Sequence, residues 1–254
     1  VTLLAVPLFI FMGTILEKSG IAAKMLENMA QAFKGTKGGL SISIIIVGAL
    51  LAASTGIVGA TVVTMGLMSL PILINQGYEK DFSSGLVAST GTLGQIIPPS
   101  IALVLLGDVM SNAYQRAQND MGIFSQQTVT VGDLFIGAIV PGILICFGYL
   151  IYTLYKNRNN SNIKDTSTEL TIDKVELFKT LALPIVLIFL VLGSIFAGIA
   201  TPTEAAAIGA FGALVVALIN REVNLNFIKE TSEKTAVVST MIFTILIGAS
   251  IFSL

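Results

Sequence analysis

Residues 48–63 read GALLAASTGIVGATVV and lie within a run, 39–78, that contains no charged side chain. Long apolar runs are typical of membrane-spanning helices, but this one has Ser, Thr and Gly at its centre, at positions 54–56. Backbone that leaves the helical conformation at membrane depth is tolerated only where protein covers it or where it lines a cavity. The stretch therefore predicts a helical hairpin whose tip, residues 54–60, faces a polar site.

The rest of the chain has a similarly apolar composition. Of its 254 residues, 54% are hydrophobic and 11% are charged, against about 25% charged in soluble domains, and the mean hydropathy is +0.88. Further uncharged runs cover residues 82–107, 134–155, 180–203, 205–220 and 235–254. Several exceed the roughly 20 residues that cross a bilayer, so the composition predicts an all-α polytopic membrane protein.

The same composition argues against two other classes of protein. A net charge of −1 gives no electrostatic footprint for a nucleic-acid partner. The sequence has no His, which a membrane serine protease needs as the base that activates its nucleophile. We therefore expect a membrane protein that is not an enzyme and needs no cofactor.

Charge placement predicts the orientation of the spans. Thirteen of the 14 Lys and Arg residues fall in the polar segments 17–38, 75–82, 156–179 and 220–235, and the other, Arg116, lies in 108–133. Because positive residues mark the cytoplasmic side, we expect segment 108–133 outside and the four others inside. The run between the first two segments must then leave and return on one side. Its arms of about 14 residues are short for full spans, which favours a re-entrant hairpin; two short spans remain the alternative.

A second break is predicted in the run 82–107, where residues 88–103 read ASTGTLGQIIPPSIAL. Pro98 and Pro99 have no N–H, so two carbonyls in the preceding turn lose their helical partners. The residue before a proline is also pushed away from the α region, and two glycines loosen the turn ahead of the break. A second half-helix is expected to start at Ser100.

Two interrupted elements rich in Ser, Thr and Gly are typical of ion-coupled transporter sites, where unwound carbonyls bind a cation and helix N-termini bind an anion. Neither run contains Asp, Glu, Lys or Arg, which favours sodium over protons as the coupling ion, because proton relays normally use such groups. We expect sodium to be bound by oxygens of Ser54, Thr55, Gly56, Gly59, Gly91, Thr92, Gly94 and Gln95. We expect substrate at Thr55, Pro98, Pro99 and Ser100, and no other metal.

Each of these features also has a purely structural interpretation. Small residues over 52–60 suit close helix packing, and a Pro-Pro pair in a membrane helix can be a simple kink. Either feature alone is a weak indication. Their combination on two elements favours a site.

Other segments predict helices and their ends. Residues 21–34 and 223–235 alternate apolar and charged side chains at helical spacing, which predicts two amphipathic helices at the cytoplasmic surface. Thr201 followed by Pro202 and then Glu204 predicts a helix start with a capping box. Asp133 is predicted to cap the helix that follows it.

Five blocks resemble, in order, the large membrane subunit of TRAP (tripartite ATP-independent periplasmic) transporters. They are VPLFIFMGTILEKSGIA at 6–22, ASTGIVGATVVTMG at 53–66, GTLGQIIPPSIALVL at 91–105, GDLFIGAIVPGIL at 132–144 and GIATPTEAAAIGAFGAL at 198–214. The resemblance implies a sodium-coupled elevator transporter with two inverted repeats, each holding one re-entrant hairpin and one broken helix. It implies organic acid substrates, such as dicarboxylates and sialic acids, in the bacterial inner membrane. It also implies two partners, a periplasmic substrate-binding protein and a small four-helix membrane subunit.

Compared with that family, the chain is expected to start after the first helices and to end before the second hairpin, so half of the site would lie elsewhere. The expected parts are a scaffold helix with a cytoplasmic arm (1–38), a transport-domain hairpin with a broken helix (39–110), a periplasmic loop with a span (111–155), a cytoplasmic linker (156–179), and scaffold helices that open the second repeat (180–254). Two alternatives remain: a divalent-anion/sodium symporter that works without a binding protein, and a passive channel or scaffold subunit.

Overall fold

The computed structural model describes residues 2–33, 35–36, 38–56, 58–123, 128–158 and 174–252. Ten α-helices lie in these ranges: α1 Ala5–Lys18, α2 Ile21–Ala32, α3 Gly39–Thr55, α4 Val58–Asn75, α5 Lys80–Thr92, α6 Ile101–Asp120, α7 Val131–Asn157, α8 Lys174–Phe196, α9 Pro202–Ile219 and α10 Leu225–Phe252. Short 3₁₀ turns precede α1 (Thr2–Leu4) and follow α5 (Leu93–Gln95). The described part of the chain contains no strand, which confirms the all-α prediction.

Several of these helices are suited to a bilayer. Among the described residues, α7, α9 and α10 are each long and apolar enough to cross one, and the pair α1 and α2, bent by 58° at the break between them, qualifies as a fourth span. Shorter apolar helices lie in α3, α4 and α8. The chain is therefore a multi-pass membrane protein, as its composition predicts.

The helix ends that the charge pattern predicts to be cytoplasmic lie together. Lys18, the last residue of α1, donates to Glu230 near the start of α10 at 2.6 Å. Lys156 at the end of α7 lies 3.1 Å from Glu79, which precedes α5. These two ion pairs join ends from all four segments predicted to share one side, two segments in each pair.

The ends predicted to lie outside also meet one another. A single cavity of about 380 Å³ is lined by Thr2, Asp108, Thr130 and Thr201. The starts of α1, α7 and α9 therefore lie beside the middle of α6. Part of the predicted outer loop is helical, however, because α6 continues to Asp120. No Gly or Pro interrupts residues 108–120, so nothing in the local sequence ends the helix where charged residues first occur.

Helix α9 lies between α1 and α8 and approaches both closely because its buried face is made of small residues. A methyl group added to Gly209 would lie 2.6 Å from Met12 Sδ on α1 and 2.8 Å from Val191 Cγ2 on α8. One added to Gly212 would overlap Leu187 of α8. Small residues at helix contacts allow this approach where lipid supplies no hydrophobic drive for association. The other buried residues of α9 are Ala205, Ala206, Ala210, Ala213, Val216 and Ala217.

The prediction of a separate amphipathic helix at 223–235 is wrong. Helix α10 runs without a break from Leu225 to Phe252, and Asn224 Oδ1 accepts a hydrogen bond from the Phe227 N–H at its start (2.7 Å). Neither Gly nor Pro occurs between Leu225 and Ile247, so the helix continues from the polar segment into the apolar one.

The predicted amphipathic helix at 21–34 is present as α2, and protein covers its apolar face. Ile21, Met25 and Met29 are buried, as the predicted stripe requires. They belong to the common hydrophobic core, and α2 packs against α3 and α8. The stripe therefore serves packing within the protein, and its level relative to a membrane surface stays a prediction.

Two further boundaries differ from the predictions. Asp133 is not the N-cap of α7: Thr130 is the cap, and Asp133 is the third helical residue, whose carboxylate accepts from the Thr130 N–H (2.9 Å) in a capping box. The capping box of Thr201 and Glu204 is confirmed, and Glu204 is exposed. The predicted linker 156–179 lies mostly outside the described residues, but α7 and α8 extend into its two ends.

Candidate functional site

The first chain reversal lies at the predicted hairpin tip. Helix α3 ends one residue before Gly56, which adopts a left-handed conformation (φ 60°) and donates its N–H to the Ala52 carbonyl at 3.1 Å. Ser54 is buried, and its hydroxyl donates to the Leu51 carbonyl at 2.8 Å. A left-handed residue after a helix is a common stop signal, and glycine adopts it without steric cost. The Ser-Thr-Gly run therefore ends α3 by ordinary helix chemistry.

The second break lies at the proline pair and confirms the predicted interruption. Between α5 and α6 the chain passes through a 3₁₀ turn and a cis Pro98-Pro99 peptide bond. Ser100 is the N-cap of α6: its Oγ accepts from the Leu103 N–H at 3.4 Å and donates to the Gln95 carbonyl at 2.8 Å. This hydroxyl therefore satisfies one of the carbonyls whose helical partner the prolines remove.

The turn between α3 and α4 and the break at the proline pair are in contact with each other. Gln95 Nε2 donates to the Gly56 carbonyl oxygen at 3.2 Å, across 39 residues of sequence. A methyl group added to Gly56 would lie 3.4 Å from the Pro99 carbonyl oxygen, and one added to Gly94 would lie 3.3 Å from that of Ala52. We call this meeting point the junction; it consists of Ala52, Gly56, Gly94, Gln95 and Pro99.

The junction has a definite electrostatic character. The C-terminal ends of α3 and of the 3₁₀ turn after α5 meet there, and each presents backbone carbonyls with partial negative charge. The N-terminus of α6, with partial positive charge, is adjacent: a methyl group on Gly56 would lie 3.2 Å from Ile101 Cγ1. Residues 39–78 and 82–107 include no Asp, Glu, Lys or Arg. The oxygens available are those of carbonyls and hydroxyls, which are ligands for hard cations.

Ligands for softer metals are not grouped in this way. Within the described ranges, no three His, Cys, Asp or Glu residues lie close enough together to hold a metal ion. The single cysteine, Cys146, is half-buried on α7. The chemistry of the junction is thus that of uncharged oxygen atoms.

The predicted site glycines differ in their surroundings. Gly56 and Gly94 belong to the junction, whereas Gly91 lies in regular helix, where an added methyl group would overlap Val62 Cγ2 on α4. Gly59 has no neighbouring atom within 4 Å of such a group. Part of the small-residue pattern therefore serves helix packing, as the structural interpretation predicts.

The structure also shows where most of the hydroxyl and proline residues predicted for the site lie. Thr92 is exposed and donates to the Ser89 carbonyl of its own helix at 2.7 Å. Pro98 and Ser100 are buried beside the junction residue Pro99. The side chain of Thr55 lies outside the described atoms. Among the predicted residues, the structure thus brings Gly56, Gly94, Gln95 and Pro99 into direct proximity.

Two positions that were not among the predicted ligands hold the hairpin against α5 and the turn that follows it, and one of them, Ala52, lies in the stretch for which close packing was predicted. Ala52 presents its carbonyl to Gly94, and a methyl group on Gly48 would lie 2.9 Å from Thr90 Cβ. Together with Gly56 they form a small-residue series at four-residue spacing, which is the known sequence signal for close helix approach.

One family matches the whole chain: that of the tripartite ATP-independent periplasmic transporter, DctM component, over residues 1–254. The chain is 33% identical over 253 residues to the C4-dicarboxylate TRAP transporter large permease protein DctM of Rhodobacter capsulatus, covering 99% of this chain and 56% of that protein. It is 32% identical over 254 residues to the ectoine/5-hydroxyectoine TRAP transporter large permease protein UehC of Ruegeria pomeroyi (98% and 54% covered). It is 29% identical over 260 residues to the sialic acid TRAP transporter large permease protein SiaM of Vibrio cholerae (99% and 55% covered).

The match has two consequences. The chain spans about half the length of these relatives. The family consists of transporter permeases, so the chain is not part of an enzyme. It belongs to the DctM family of TRAP transporter large permeases.

Proposed function

We propose that the chain forms half of a sodium-coupled permease that moves an organic acid across the bacterial inner membrane by symport. The observation that carries the proposal is the junction, where two interrupted helices meet through the hydrogen bond between Gln95 and the Gly56 carbonyl. Discontinuous helices that meet within apolar surroundings are the recurrent architecture of substrate and ion sites in secondary transporters.

The helix ends at the junction favour a cation. Two C-terminal ends carry partial negative charge without a formal charge that would have to be desolvated. Backbone carbonyls there, and the hydroxyl of Ser54, supply the oxygen ligands. A hydroxyl that donates its proton to a carbonyl keeps lone pairs for a metal ion, so the bond from Ser54 to Leu51 is compatible with coordination.

The absence of titratable groups near the junction favours sodium over protons. A proton-coupled site needs a group that gains and loses the proton at depth, and neither 39–78 nor 82–107 contains Asp, Glu, Lys or Arg. The oxygens of Gly56, Gly94 and Gln95 are the best-placed sodium ligands, while Gly91 serves helix packing.

An organic acid fits the opposite polarity at the start of α6. The N-terminus of this helix carries free N–H groups and partial positive charge, which suit a carboxylate. Ser100 caps it beside the junction, so substrate and cation would share one polar region. The C4-dicarboxylates and sialic acid in the relatives' names are organic acids. We propose a carboxylate of this class as the substrate.

The mechanism and partners follow from the family. Helices α3 to α7, which surround the junction, would form the moving part of an elevator, and α1 with α8 to α10 would belong to the scaffold. A periplasmic substrate-binding protein would deliver the substrate, and a small four-helix membrane subunit would support the scaffold. The second hairpin and second broken helix of the site would lie in the other half of the permease.

Uptake into proteoliposomes tests the coupling. The full-length permease is reconstituted with its small subunit and the binding protein loaded with a radiolabelled organic acid, and an inward sodium gradient is compared with an equal choline gradient. Uptake that requires sodium supports the proposal; equal uptake in choline favours a passive channel and contradicts it. Sodium-dependent uptake that persists without the binding protein would instead indicate the symporter alternative.

Two substitutions test the predicted ligands. Loss of one oxygen ligand should raise the sodium concentration for half-maximal uptake by roughly threefold to tenfold, because a bond to a charged group contributes about 1 kcal/mol or more. Ser54→Ala and Thr92→Ala are expected to show this effect. Ser84→Ala and Thr244→Ala are matched controls: like that of Thr92, their hydroxyls are exposed and donate to a carbonyl of their own helix, but neither residue is next to the junction in the sequence. An unchanged sodium dependence in both ligand variants would reassign these hydroxyls to local structure.

A further inference from the structure

A second polar cavity, of about 250 Å³, lies between the first three turns of α5 and the last turns of α7. No junction residue lines it. Its wall combines one carboxylate, three aromatic rings and two hydroxyl side chains: Asp81, Phe82, Tyr149, Tyr152, Ser89 and Thr153. This composition differs from that of the junction, which has neither charge nor aromatic rings.

Two of the wall rings, Phe82 and Tyr152, lie next to each other, and the buried ring of Tyr78, behind the wall, stacks on Phe82. The rings of Tyr78 and Phe82 are stacked with centroids 6.1 Å apart, and Phe82 and Tyr152 are 6.4 Å apart and tilted by 31°. The Tyr152 side chain is 59% exposed, so part of its surface is open. Aromatic faces attract organic cations, and ammonium groups are commonly bound by several rings together.

The polar part of the wall complements the rings. Asp81 supplies a negative charge that would pair with a cation. Thr153 is almost completely buried (1% exposed), and its hydroxyl has no hydrogen-bond partner among the described atoms. An unpaired buried hydroxyl in a cavity wall is a donor available to an acceptor oxygen of a ligand. The cavity thus offers a site for a cation next to a donor for an anion.

The position of the cavity favours a lipid over a soluble ligand. Helix α7 is the most apolar of the spans, and the cavity lies at the end from which Lys156 and Arg158 follow. Ile151, Leu154 and Tyr155 on the same turns are exposed, as a lipid-facing surface would be. Tyrosines near the end of a span typically lie at the level of lipid headgroups.

We propose that this cavity binds the headgroup of an aminophospholipid of the phosphatidylethanolamine type. The ammonium group lies against Asp81 and the Phe82 and Tyr152 rings, and the Thr153 hydroxyl donates to a phosphate oxygen. The volume corresponds to about eight water molecules at roughly 30 Å³ each, which is room for the headgroup while the acyl chains extend along the apolar surface of α7.

Native mass spectrometry of the purified full-length permease tests this assignment. The protein is incubated with equal amounts of phosphatidylethanolamine and phosphatidylglycerol, which share the phosphodiester but not the ammonium. We expect preferential retention of phosphatidylethanolamine, and a roughly tenfold loss of that retention in Asp81→Asn, because the charge-assisted bond is removed. Equal retention of the two lipids would overturn the proposal.

Further variants separate binding from folding. Tyr152→Leu and the nearly isosteric Thr153→Val should also reduce retention of phosphatidylethanolamine. Tyr155→Leu and Asp120→Asn, whose side chains are exposed and do not line the cavity, should leave it unchanged. Retention that is unaffected in all three cavity variants contradicts the site. Soluble phosphoethanolamine that displaces the lipid at equal concentration would show a soluble amine as the occupant and overturn the lipid assignment.

Discussion

At the scale of single residues, glycine and its absent side chain decide how closely the segments around the junction approach. Gly56 has a positive φ, and Gly94 lies against the Ala52 carbonyl. Gly91 has a different task, because it lets α5 pack directly on Val62 of α4. Positions that look alike in sequence therefore belong to the turns of the junction in some places and to helix packing in others.

The packing role of Gly91 predicts a strong effect of one added methyl group. Gly91→Ala should destabilise the protein by about 1–3 kcal/mol, because the methyl overlaps Val62 Cγ2 and would lie 3.0 Å from the Val62 backbone Cα. Gly137→Ala in α7 is the matched control, since nothing lies within 4 Å of the added group, and higher helix propensity should make it neutral or stabilising. Thermal unfolding of both variants in detergent measures this. Equal stability of the two variants would refute the packing role.

Much of the junction was predictable from sequence because its chemistry is local. Gly56, Gln95 and Pro99 were selected from a Ser-Thr-Gly run and a proline pair, and the structure brings them together. The sequence did not predict that Ala52 lies in the junction while Gly59 lies outside it. This depends on which face of the hairpin packs against α5. That face is set by packing between segments about 40 residues apart in the chain.

At the scale of elements, breaks were predicted well and helix ends less well. Proline removes a hydrogen bond wherever it occurs in a helix, so the interruption before α6 is visible in the sequence. The C-terminal end of α6 and the continuity of α10 were missed, because segments with charged residues were taken to be separate from the apolar helices beside them. Charge alone does not end a helix that lacks Gly, Pro or a cap. Arms α3 and α4, of 17 and 18 residues, are also longer than predicted and reach about 26 Å at 1.5 Å per residue.

Contact between α1 and α10 gives a prediction about these two helices. Lys234 Nζ lies 2.8 and 3.0 Å from the two carboxylate oxygens of Glu17, and Thr64 of α4 donates to the same carboxylate at 2.9 Å. Glu17 is largely buried (15% exposed). Lys234→Met should destabilise the protein by roughly 1–3 kcal/mol, between the values for exposed and buried pairs, as measured by thermal unfolding.

Two comparisons make that measurement specific. Lys229→Met should lower the free energy of unfolding much less than Lys234→Met does, because Lys229 and its partner Glu233 are exposed and 3.9 Å apart. Reversing the pair, with Glu17→Lys and Lys234→Glu together, should restore part of the lost stability. If the double reversal is no more stable than either single reversal, the two side chains do not act as a pair.

At the scale of the whole molecule, α1 is the element around which the others are arranged. It packs against α9, α10 and α3, and its Phe9, Ile10 and Ile15 are almost completely buried. Its apolar composition predicted a span but not these partners, since residues 217 positions apart meet through the Glu17 pair. The grouping of helix ends was predictable because charge asymmetry is a property of the whole chain.

The central claim is that uncharged oxygens at the junction bind the coupling ion, and equilibrium sodium binding tests it most directly. Binding of radioactive sodium to the purified full-length permease is compared between the wild type, Gln95→Leu, which loses the bond to Gly56, and Gln115→Leu, whose amide lies elsewhere on α6. The account predicts saturable binding that Gln95→Leu weakens by roughly twofold to tenfold, as expected for one lost hydrogen bond, and that Gln115→Leu leaves unchanged. Absence of saturable sodium binding in the wild type, or equal affinity in all three proteins, would contradict it.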